Sequence, residues 1–333
     1  MTRFLEACYS AIRAQEKSIS HTIKKTEKDN LTFGDRKRVI LIGCGDSFAV
    51  ARYGQWVFLQ NGVNANAFAP PDISRVHLDE KDVVIGVTAS GRSVATINAL
   101  QFSRQKGAFT VVLTDDPEGR AAQNVDLVWR TYAGVDSYNI SPSSPTTTAM
   151  AYILRRVSME CGTSKTGIYR DSVRLETLGK KLIDWAEISG KVISDFVDLG
   201  IPLYFVSDGP NHIAAHIGLM KFNEYSLVKA HLAHREEYSH HWNLSLNEGD
   251  SVVFVTDSPP TTEDTAYLRV LRETLRMNAY HLYVDNELRL ETPLGQAIAN
   301  SIAFQMAAYH TVIRFNPQKE KWKQPNADAF SIY

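Results

Sequence analysis

The sequence predicts a two-lobed α/β protein. The chain has 333 residues, enough for one large or two medium domains. Short apolar runs that end in polar loops alternate with segments of helical spacing, a pattern that predicts parallel strands joined by crossover helices. Because this strand–loop–helix series occurs twice, we expect two mainly parallel sheets, each flanked by helices.

The first half begins with a helical pattern and continues with three strand runs. Residues 3–28 carry apolar side chains near helical spacing, which predicts an amphipathic helix. The runs 39–42, 83–87 and 110–113 are short, apolar and rich in β-branched residues, as is typical of buried strands. The segment 48–58, behind the first run, has helical spacing.

The second half repeats this plan after a helical stretch over residues 146–197. Strands are predicted at 203–206, 252–255 and 281–284, and helices at 211–225, 265–276 and 295–310. The expected organisation is an N-terminal helix in 1–35, a first subdomain in 36–165, linking helices in 166–198, a second subdomain in 199–315 and a tail in 316–333.

Composition excludes several classes of partner. A formal net charge of −1 gives no electrostatic case for binding nucleic acid or an anionic membrane. The three cysteines form no CxxC pair, which favours a reducing compartment over a disulfide framework. The N-terminus lacks the long apolar core of a signal peptide, and no stretch approaches the ~20 apolar residues that span a bilayer. We therefore expect a cytoplasmic protein.

Two loops carry the first functional signal. Gly43–Ser47 follows the first strand run, and Thr88–Ser93 follows the second, where a helical pattern begins at once. Hydroxyls and unpaired N–H groups at a helix N-terminus favour an anion. The second loop has no lysine of the P-loop kind, so it suits a small phosphate ester. The alternative is an ordinary N-cap, with Ser93 as the capping residue.

The spacing of these loops resembles the sugar isomerase (SIS) domain family, in which a G-x-G-x-S loop and a later S-x-S-G-x-T loop follow two strands. The resemblance implies flavodoxin-like subdomains whose hydroxyl side chains bind the phosphate of a phosphosugar. Ser47 matches the serine of the first loop, Gly91 matches the glycine of the second, and Thr88, Ser90 and Ser93 match its hydroxyl positions. The implied substrate-binding set is Gly45, Ser47, Thr88, Ala89, Ser90, Gly91 and Ser93, with no cofactor and no metal.

Two segments of the second half extend the resemblance. Gly218–Ser226 is similar to the G-x-L-K-x-x-E-x-S helix of the isomerase half of glucosamine-6-phosphate synthase, and Glu237–His240 falls on that family's E-L-K-H segment. The resemblance implies Glu224 as general base and His240 as ring-opening acid/base. The histidine of several relatives comes from a neighbouring subunit, which implies a homodimer with shared active sites. The alternatives are an exposed helix carboxylate and a surface or packed histidine.

The chemistry requires residues of these types. Converting an aldose to a ketose means opening the sugar ring and moving a proton between adjacent carbons through an enediol or enolamine. A positioned carboxylate removes and returns that proton, and an imidazole transfers one to the ring oxygen near neutral pH.

The chain also departs from the synthase pattern. Arg92 stands where synthases usually carry an acid, Ser239 replaces a lysine, and the Ser-Thr-Lys loop has no clean counterpart in 141–146. Lys323 lies near the position of the Schiff-base lysine of the synthases and is a third candidate catalytic residue; the alternative is a solvated charge run. The tail 316–333 resembles that of the fructosamine-6-phosphate deglycases.

A complete synthase begins with a glutaminase domain whose nucleophile is an N-terminal cysteine. Here Thr2 follows Met1, and no room remains for that domain. We therefore expect no glutamine-dependent amidotransfer unless a separate subunit supplies ammonia.

Three functional alternatives follow from the same residues. The segment 231–241 is dense in histidines and carboxylates, but it lacks the HExxH spacing of a zinc helix. A phosphosugar-binding sensor would use the same loops without turnover. The favoured function is aldose–ketose isomerisation of a hexose or amino-hexose 6-phosphate, alone or with deamination, and the alternative enzyme is a fructosamine-6-phosphate deglycase.

Overall fold

Two parallel β-sheets organise the chain, as the sequence predicts. The computed structural model describes residues 2–29, 31–33, 36–134, 144–160, 166–226, 228–284 and 287–321. Residues 13–179 form a first compact unit, and residues 2–12 and 180–321 form a second. Each unit holds one mainly parallel sheet flanked by helices, so the predicted fold class is confirmed. The five-part division expected from the sequence stays a prediction.

Helices open the chain, and the elements of the first unit follow. The first helix, α1 (Arg3–Arg13), ends just before α2 (Gln15–Lys25). The remaining elements are β1 (Arg38–Ile42), α3 (Asp46–Gln60), β2 (Ala65–Phe68), β3 (Asp82–Val87), α4 (Val94–Gln105), β4 (Phe109–Thr114), β5 (Leu127–Arg130), α5 (Ser144–Glu160) and α6 (Gly167–Leu178).

The first sheet has the strand order β2-β1-β3-β4-β5, and all of its pairings are parallel. β1 and β3 are direct neighbours, with Leu41 beside Ile85, although β2 lies between them in the chain. All six residues of β3 are buried, as expected for a central strand covered on both faces.

The second unit contains a shorter sheet of the same kind. Its elements after α1 are α7 (Lys180–Asp195), β6 (Leu203–Ser207), α8 (Asn211–Tyr225), β7 (Ala230–Ala233), α9 (Arg235–His240), β8 (Ser251–Val255), α10 (Thr262–Arg269), β9 (Asn278–Leu282) and α11 (Pro293–Phe315). The strand order is β7-β6-β8-β9, again with parallel pairing. Helix α11 is apolar on nearly every face and is buried over most of its length, as its sequence requires.

Several elements differ from the sequence prediction. The single helix expected over 3–28 is two helices that meet at Ala14. The strands β2, β5 and β7 were not predicted, and β9 begins three residues before the run at 281. The helix expected over 265–276 is α10 followed by one π-helical turn, Val270–Thr274. Within the described residues, no helix is long and apolar enough to cross a membrane.

Candidate active site

The carboxyl edge of the first sheet holds a small cavity lined by apolar and hydroxyl side chains. After β1 the chain crosses to β2 on one side of the sheet, and after β3 it crosses to β4 on the other side. A crevice is expected between the carboxyl ends of β1 and β3, where the connections diverge. The cavity has a volume of about 50 Å³, room for a few water molecules. Its walls are formed by Asp46, Ser47, Val50, Val87, Ala89, Leu113, Thr114, Thr131, Pro145, Thr146 and Ala149.

Ser47 lies in this wall because of the backbone of the loop before it. Gly45 is the N-cap of α3 and has a φ of +54°, a conformation that favours glycine. A Cβ on Gly43 would lie 2.4 Å from the carbonyl oxygen of Ser47, so only glycine fits there. The Ser47 N–H donates to the Cys44 carbonyl oxygen at 3.0 Å. This tight turn places the Ser47 side chain in the cavity wall, where it has no hydrogen-bond partner among the described residues.

The Thr88–Ser93 loop contributes Ala89 to the cavity wall and packs against the segment that follows β4. The Thr88 N–H donates to the Leu113 carbonyl oxygen at 3.0 Å. Gly91 has a φ of +64°, and a Cβ there would lie 3.0 Å from the Cα of Gly119. Positive φ and close backbone approach therefore both require glycine at this position.

Ser93 does occupy the N-cap position of α4, but its side chain makes no capping hydrogen bond. Its hydroxyl instead accepts a hydrogen bond from Thr96 Oγ1 at 3.2 Å and lies 3.8 Å from the Cys44 sulfur in the other loop. The Ser90 hydroxyl accepts the Arg92 N–H at 3.4 Å, and the Arg92 side chain is exposed. Ser90, Gly91, Arg92 and Ser93 belong to the loop without lining the cavity.

Two threonines at the strand ends complete the hydroxyl lining. Thr114 ends β4, and Thr131 follows β5 directly. The Thr131 hydroxyl donates to Asp115 Oδ1 at 3.1 Å, and the same carboxylate accepts the N–H groups of Ala133 and Gly134 at 2.5 and 2.9 Å. Burial raises the pKa of Asp115, and these hydrogen bonds oppose the rise. Asp115 therefore fixes the turn that carries Thr131.

The start of α5 closes the cavity with Pro145 and Thr146. Two helices, α3 and α5, thus begin at the cavity, and their N-terminal dipoles favour an anion there. Among the described lining residues there is no lysine or arginine, and Asp46 adds a carboxylate. Such a cavity would bind an anion through hydroxyl groups and helix N-termini rather than through a cation.

In the second unit, Glu224 is held by a buried lysine. Both residues lie on α8, three positions apart, and the Lys221 ammonium donates to Glu224 Oε2 at 2.9 Å. The Lys221 side chain is 0% exposed and that of Glu224 is 36% exposed. The carboxylate therefore reaches solvent from an anchored position, which an ordinary surface glutamate lacks. Lys221 lies in the segment 218–226, but no role for it was predicted from the sequence.

The turn after α8 is also fixed. The Asn223 side chain accepts the Ala230 N–H at 3.0 Å and donates to the Ala230 carbonyl oxygen at 3.2 Å. These two bonds tie the last turn of α8 to the first residue of β7.

His240 ends α9 and faces solvent, with 71% of its side chain exposed. Its Nε2 lies 2.9 Å from Glu236 Oε1, one helical turn earlier. Glu237 is likewise exposed and lies 3.5 Å from the His241 ring.

Lys323 and residues 141–143 lie outside the described residues. Among the residues that are described, no group of three or more histidine, cysteine or acidic side chains is placed to hold a metal ion.

The chain is an α/β protein with a cavity at the carboxyl ends of the parallel strands of its first sheet. Residues 32–155 match the family model of the SIS domain, and the chain contains a SIS domain there. The SIS family resemblance found in the sequence is thereby confirmed.

Curated relatives and a solved structure agree with this assignment. Glutamine–fructose-6-phosphate aminotransferase (isomerizing) of Aquifex aeolicus is 26% identical over 267 residues, which cover 78% of this chain and 44% of that protein. Fructosamine deglycase of Bacillus subtilis is 23% identical over 208 residues, which cover 61% of this chain and 63% of that protein. This chain therefore spans about half to two thirds of the length of these relatives.

The C-terminal domain of glucosamine–fructose-6-phosphate aminotransferase from Francisella tularensis has the same fold. Its TM-score is 0.75 at 18% identity, with 92% of this chain and 95% of that chain covered. At this identity the likeness concerns the fold alone.

Proposed function

We propose that this protein is an aldose–ketose isomerase that acts on a hexose or amino-hexose 6-phosphate. The observation that carries the proposal is the cavity of the first unit, which is lined by four hydroxyl side chains where two helices begin. The SIS domain match over residues 32–155 supports the same ligand class.

The phosphate group would sit at the carboxyl edge of the first sheet. The Ser47 hydroxyl has no partner among the described residues and can donate to the phosphate, and the N-termini of α3 and α5 add their dipoles. The Thr131 hydroxyl already donates to Asp115, so it shapes the cavity without donating to the phosphate. Neutral donors bind a phosphate without the tight charge pairing of a lysine or arginine. Weaker binding of this kind allows the product to dissociate after the reaction.

Glu224 is the proposed general base. It would take the proton from C2 of the open-chain aldose and return it to C1, through an enediol, to give the ketose. The buried Lys221 ammonium positions its carboxylate. Removing the Lys221 side chain would therefore release the Glu224 carboxylate and also leave a cavity in the core beside α8.

His240 is the proposed acid/base for ring opening. Its exposed imidazole at the end of α9 suits a residue that acts on a substrate bound by a second copy of the chain. A homodimer with shared active sites is part of the proposal, and so is a role for Lys323.

The test is incubation of the purified protein with fructose 6-phosphate, glucosamine 6-phosphate and fructosamine 6-phosphate, with the sugar product and released ammonia followed separately. We expect isomerised product from at least one of them. Glu224→Gln should lower kcat by about 10²–10⁴-fold. Glu273→Gln, which removes an exposed carboxylate of the same unit, should leave kcat unchanged.

Three outcomes would overturn the proposal. Release of ammonia from fructosamine 6-phosphate without isomerisation of the others identifies a deglycase instead. Tight binding of one phosphosugar with turnover of none identifies a sensor. Full activity in Glu224→Gln removes the glutamate from the mechanism.

A further inference from the structure

The second sheet has a polar edge of its own, in the position that holds the cavity of the first. β6 and β8 are neighbours although β7 lies between them in the chain, as β1 and β3 are in the first sheet. The register places Ser207 beside Val255, so Asp208 and Asp257 follow the ends of adjacent strands. A ligand crevice is expected at such a point.

A chain of buried amides leads to this edge. Asn300 on α11 is fully buried, and its Nδ2 donates to Asn211 Oδ1 at 2.8 Å. Asn211, the first residue of α8, in turn donates to Asp257 Oδ1 at 2.6 Å. Asn300 therefore directs its amide at the helix start beneath Asp257.

Two buried oxygens at this edge lack partners. Within the described residues, neither Ser207 Oγ nor Asn300 Oδ1 has a hydrogen bond, and their residues are 1% and 0% exposed. Buried polar atoms of this kind are normally satisfied, so their presence points to a missing hydrogen-bonding group.

Among the described residues, the partners of the two carboxylates at this edge are a histidine ring, a backbone N–H group and an amide. The His234 ring lies 3.1 Å from Asp208 Oδ1, but the Arg235 guanidinium is directed to Asp264 and Glu263. Burial and then the charge of Asp208 raise the pKa of Asp257, while the Asn211 hydrogen bond opposes the rise. Among the described residues, neither Asp208 nor Asp257 pairs with a lysine or arginine side chain.

We propose that the carboxyl edge of the second sheet, formed by Ser207, Asp208, Asn211, Asp257 and Asn300, binds a small ammonium group. The unpartnered oxygens and the carboxylates all accept hydrogen bonds, and a primary ammonium supplies several donors and the missing positive charge. A divalent metal fits less well, because the described residues place no three metal-ligating side chains together. The proposal is independent of the isomerase reaction.

The test is binding of ammonium chloride to the full chain at constant ionic strength, followed by thermal unfolding and calorimetry. We expect saturable stabilisation by ammonium and none by potassium, an ion of similar size that donates no hydrogen bonds. Asp257→Asn should weaken binding at least about tenfold, because it removes a charged acceptor. Asp184→Asn, at an exposed carboxylate of the same unit, is the matched control.

Ser207→Ala adds a second criterion that does not depend on charge. Loss of a hydroxyl that has no protein partner should leave the unfolding midpoint in potassium chloride unchanged while weakening ammonium binding. If methylammonium binds as ammonium does, the site accepts the amine of a larger molecule, whereas binding of ammonium alone identifies a site for the free ion. Three results would overturn the proposal: equal stabilisation by potassium and ammonium, no saturable stabilisation by ammonium, or unchanged ammonium binding in Asp257→Asn. Stabilisation by a divalent ion that is lost in Asp257→Asn would also overturn it, because it would identify a metal site.

Discussion

Asp46 and Ser47 are consecutive residues at the start of α3, and both line the cavity of the first unit. Their side chains would act on a bound phosphate in opposite directions. The serine hydroxyl donates a hydrogen bond to an anion, whereas the aspartate carboxylate repels it. The pair therefore allows a test of the phosphate site in which two neighbouring substitutions change affinity with opposite sign.

Ser47→Ala should weaken phosphosugar binding by about tenfold or more, since hydrogen bonds to charged groups are worth roughly 1.5–3 kcal/mol. Asp46→Asn should strengthen binding by about threefold to tenfold, as expected for removing a carboxylate charge roughly 6 Å from a phosphate that carries one to two negative charges in water. Calorimetric titration of both variants with fructose 6-phosphate measures the two effects. A decrease of affinity in both, or no change in either, would place the phosphate elsewhere.

Gly91 provides a test of the loop geometry. Gly91→Ala combines the strain of a positive φ with a 3.0 Å approach to Gly119, whereas Gly62→Ala has a φ of +79° and no atom within 4 Å. Each should lose about 1–2 kcal/mol to backbone strain, and only Gly91→Ala should lose more and also bind phosphosugar less well. Equal losses in the free energy of unfolding of the two variants would show that the close approach of Gly91 to Gly119 does not affect stability.

The sequence predicted which loops follow the strands at the cavity, but it did not predict every residue that lines the cavity. Ser47 and Ala89 line it, because each follows a strand that an apolar run identifies, and their binding of substrate stays a prediction. Thr131 was missed, since the strand before it was not recognised. Thr146 was missed because it lies in the first turn of a helix whose start is rich in serine, proline and threonine. Lys221 is the lysine of the G-x-L-K-x-x-E-x-S segment, but the segment alone gave it no role, and its contact with Glu224 does.

At the scale of elements, the buried strands were predictable and the short edge strands were not. β1, β3, β4, β6 and β8 are continuous apolar runs. By contrast β2, β5 and β7 are four residues each, lie at or near the sheet edges and mix polar with apolar side chains. Such strands are formed by pairing to a neighbour, a tertiary effect that local pattern does not contain.

A buried ion network ties α5 to the segment after α2 in the first unit. Arg156 is fully buried, and its guanidinium donates to Asp29 and, at 2.8 Å, to Glu160. The Trp129 indole N–H donates to the other oxygen of Asp29 at 2.8 Å. Removing the arginine leaves two carboxylates without their cation.

Arg156→Leu should therefore lower the free energy of unfolding of the first unit by about 3–5 kcal/mol. Arg75→Ala, which breaks an exposed pair with Asp72, should change it by about 0–1 kcal/mol. Chemical denaturation followed by circular dichroism measures both. A loss in Arg156→Leu no larger than that in Arg75→Ala would contradict the account.

At the scale of the whole molecule, the two units hold different ionisable groups and should respond differently to acid. In the second unit, burial lowers the pKa of His310 and of His281, although Glu187 and Asp264 oppose the shift. The pKa of Glu187 is also lowered: burial raises it, but the hydrogen bonds from Tyr9 and Lys191 and the charge of His310 outweigh burial.

All three shifts give the same sign. A histidine whose pKa is depressed on folding binds its proton more readily when unfolded, so stability falls as the pH drops below about 6.5. A depressed glutamate adds a further loss below its ordinary value of 4.5. These three groups therefore lower the free energy of unfolding of the second unit between pH 7.5 and pH 4, whereas Asp257, whose pKa is raised by burial, contributes with the opposite sign.

Denaturation at a series of pH values, with His310→Gln alongside the unaltered protein, checks this prediction. The substitution should flatten the pH dependence between 7 and 5. A stability that stays constant or rises on acidification, or a slope unchanged in His310→Gln, would contradict the assignment.

The central claim, that this chain moves a proton between adjacent carbons of a phosphosugar, is tested most directly by isotope exchange. The protein is incubated in D₂O with fructose 6-phosphate, glucosamine 6-phosphate or fructosamine 6-phosphate, and the C1 and C2 proton signals are followed by NMR. We predict that deuterium enters one of these positions with the unaltered protein and with Glu273→Gln, and at least about a hundredfold more slowly with Glu224→Gln. Saturating binding of a phosphosugar with no deuterium at C1 or C2 of any of the three would contradict the claim.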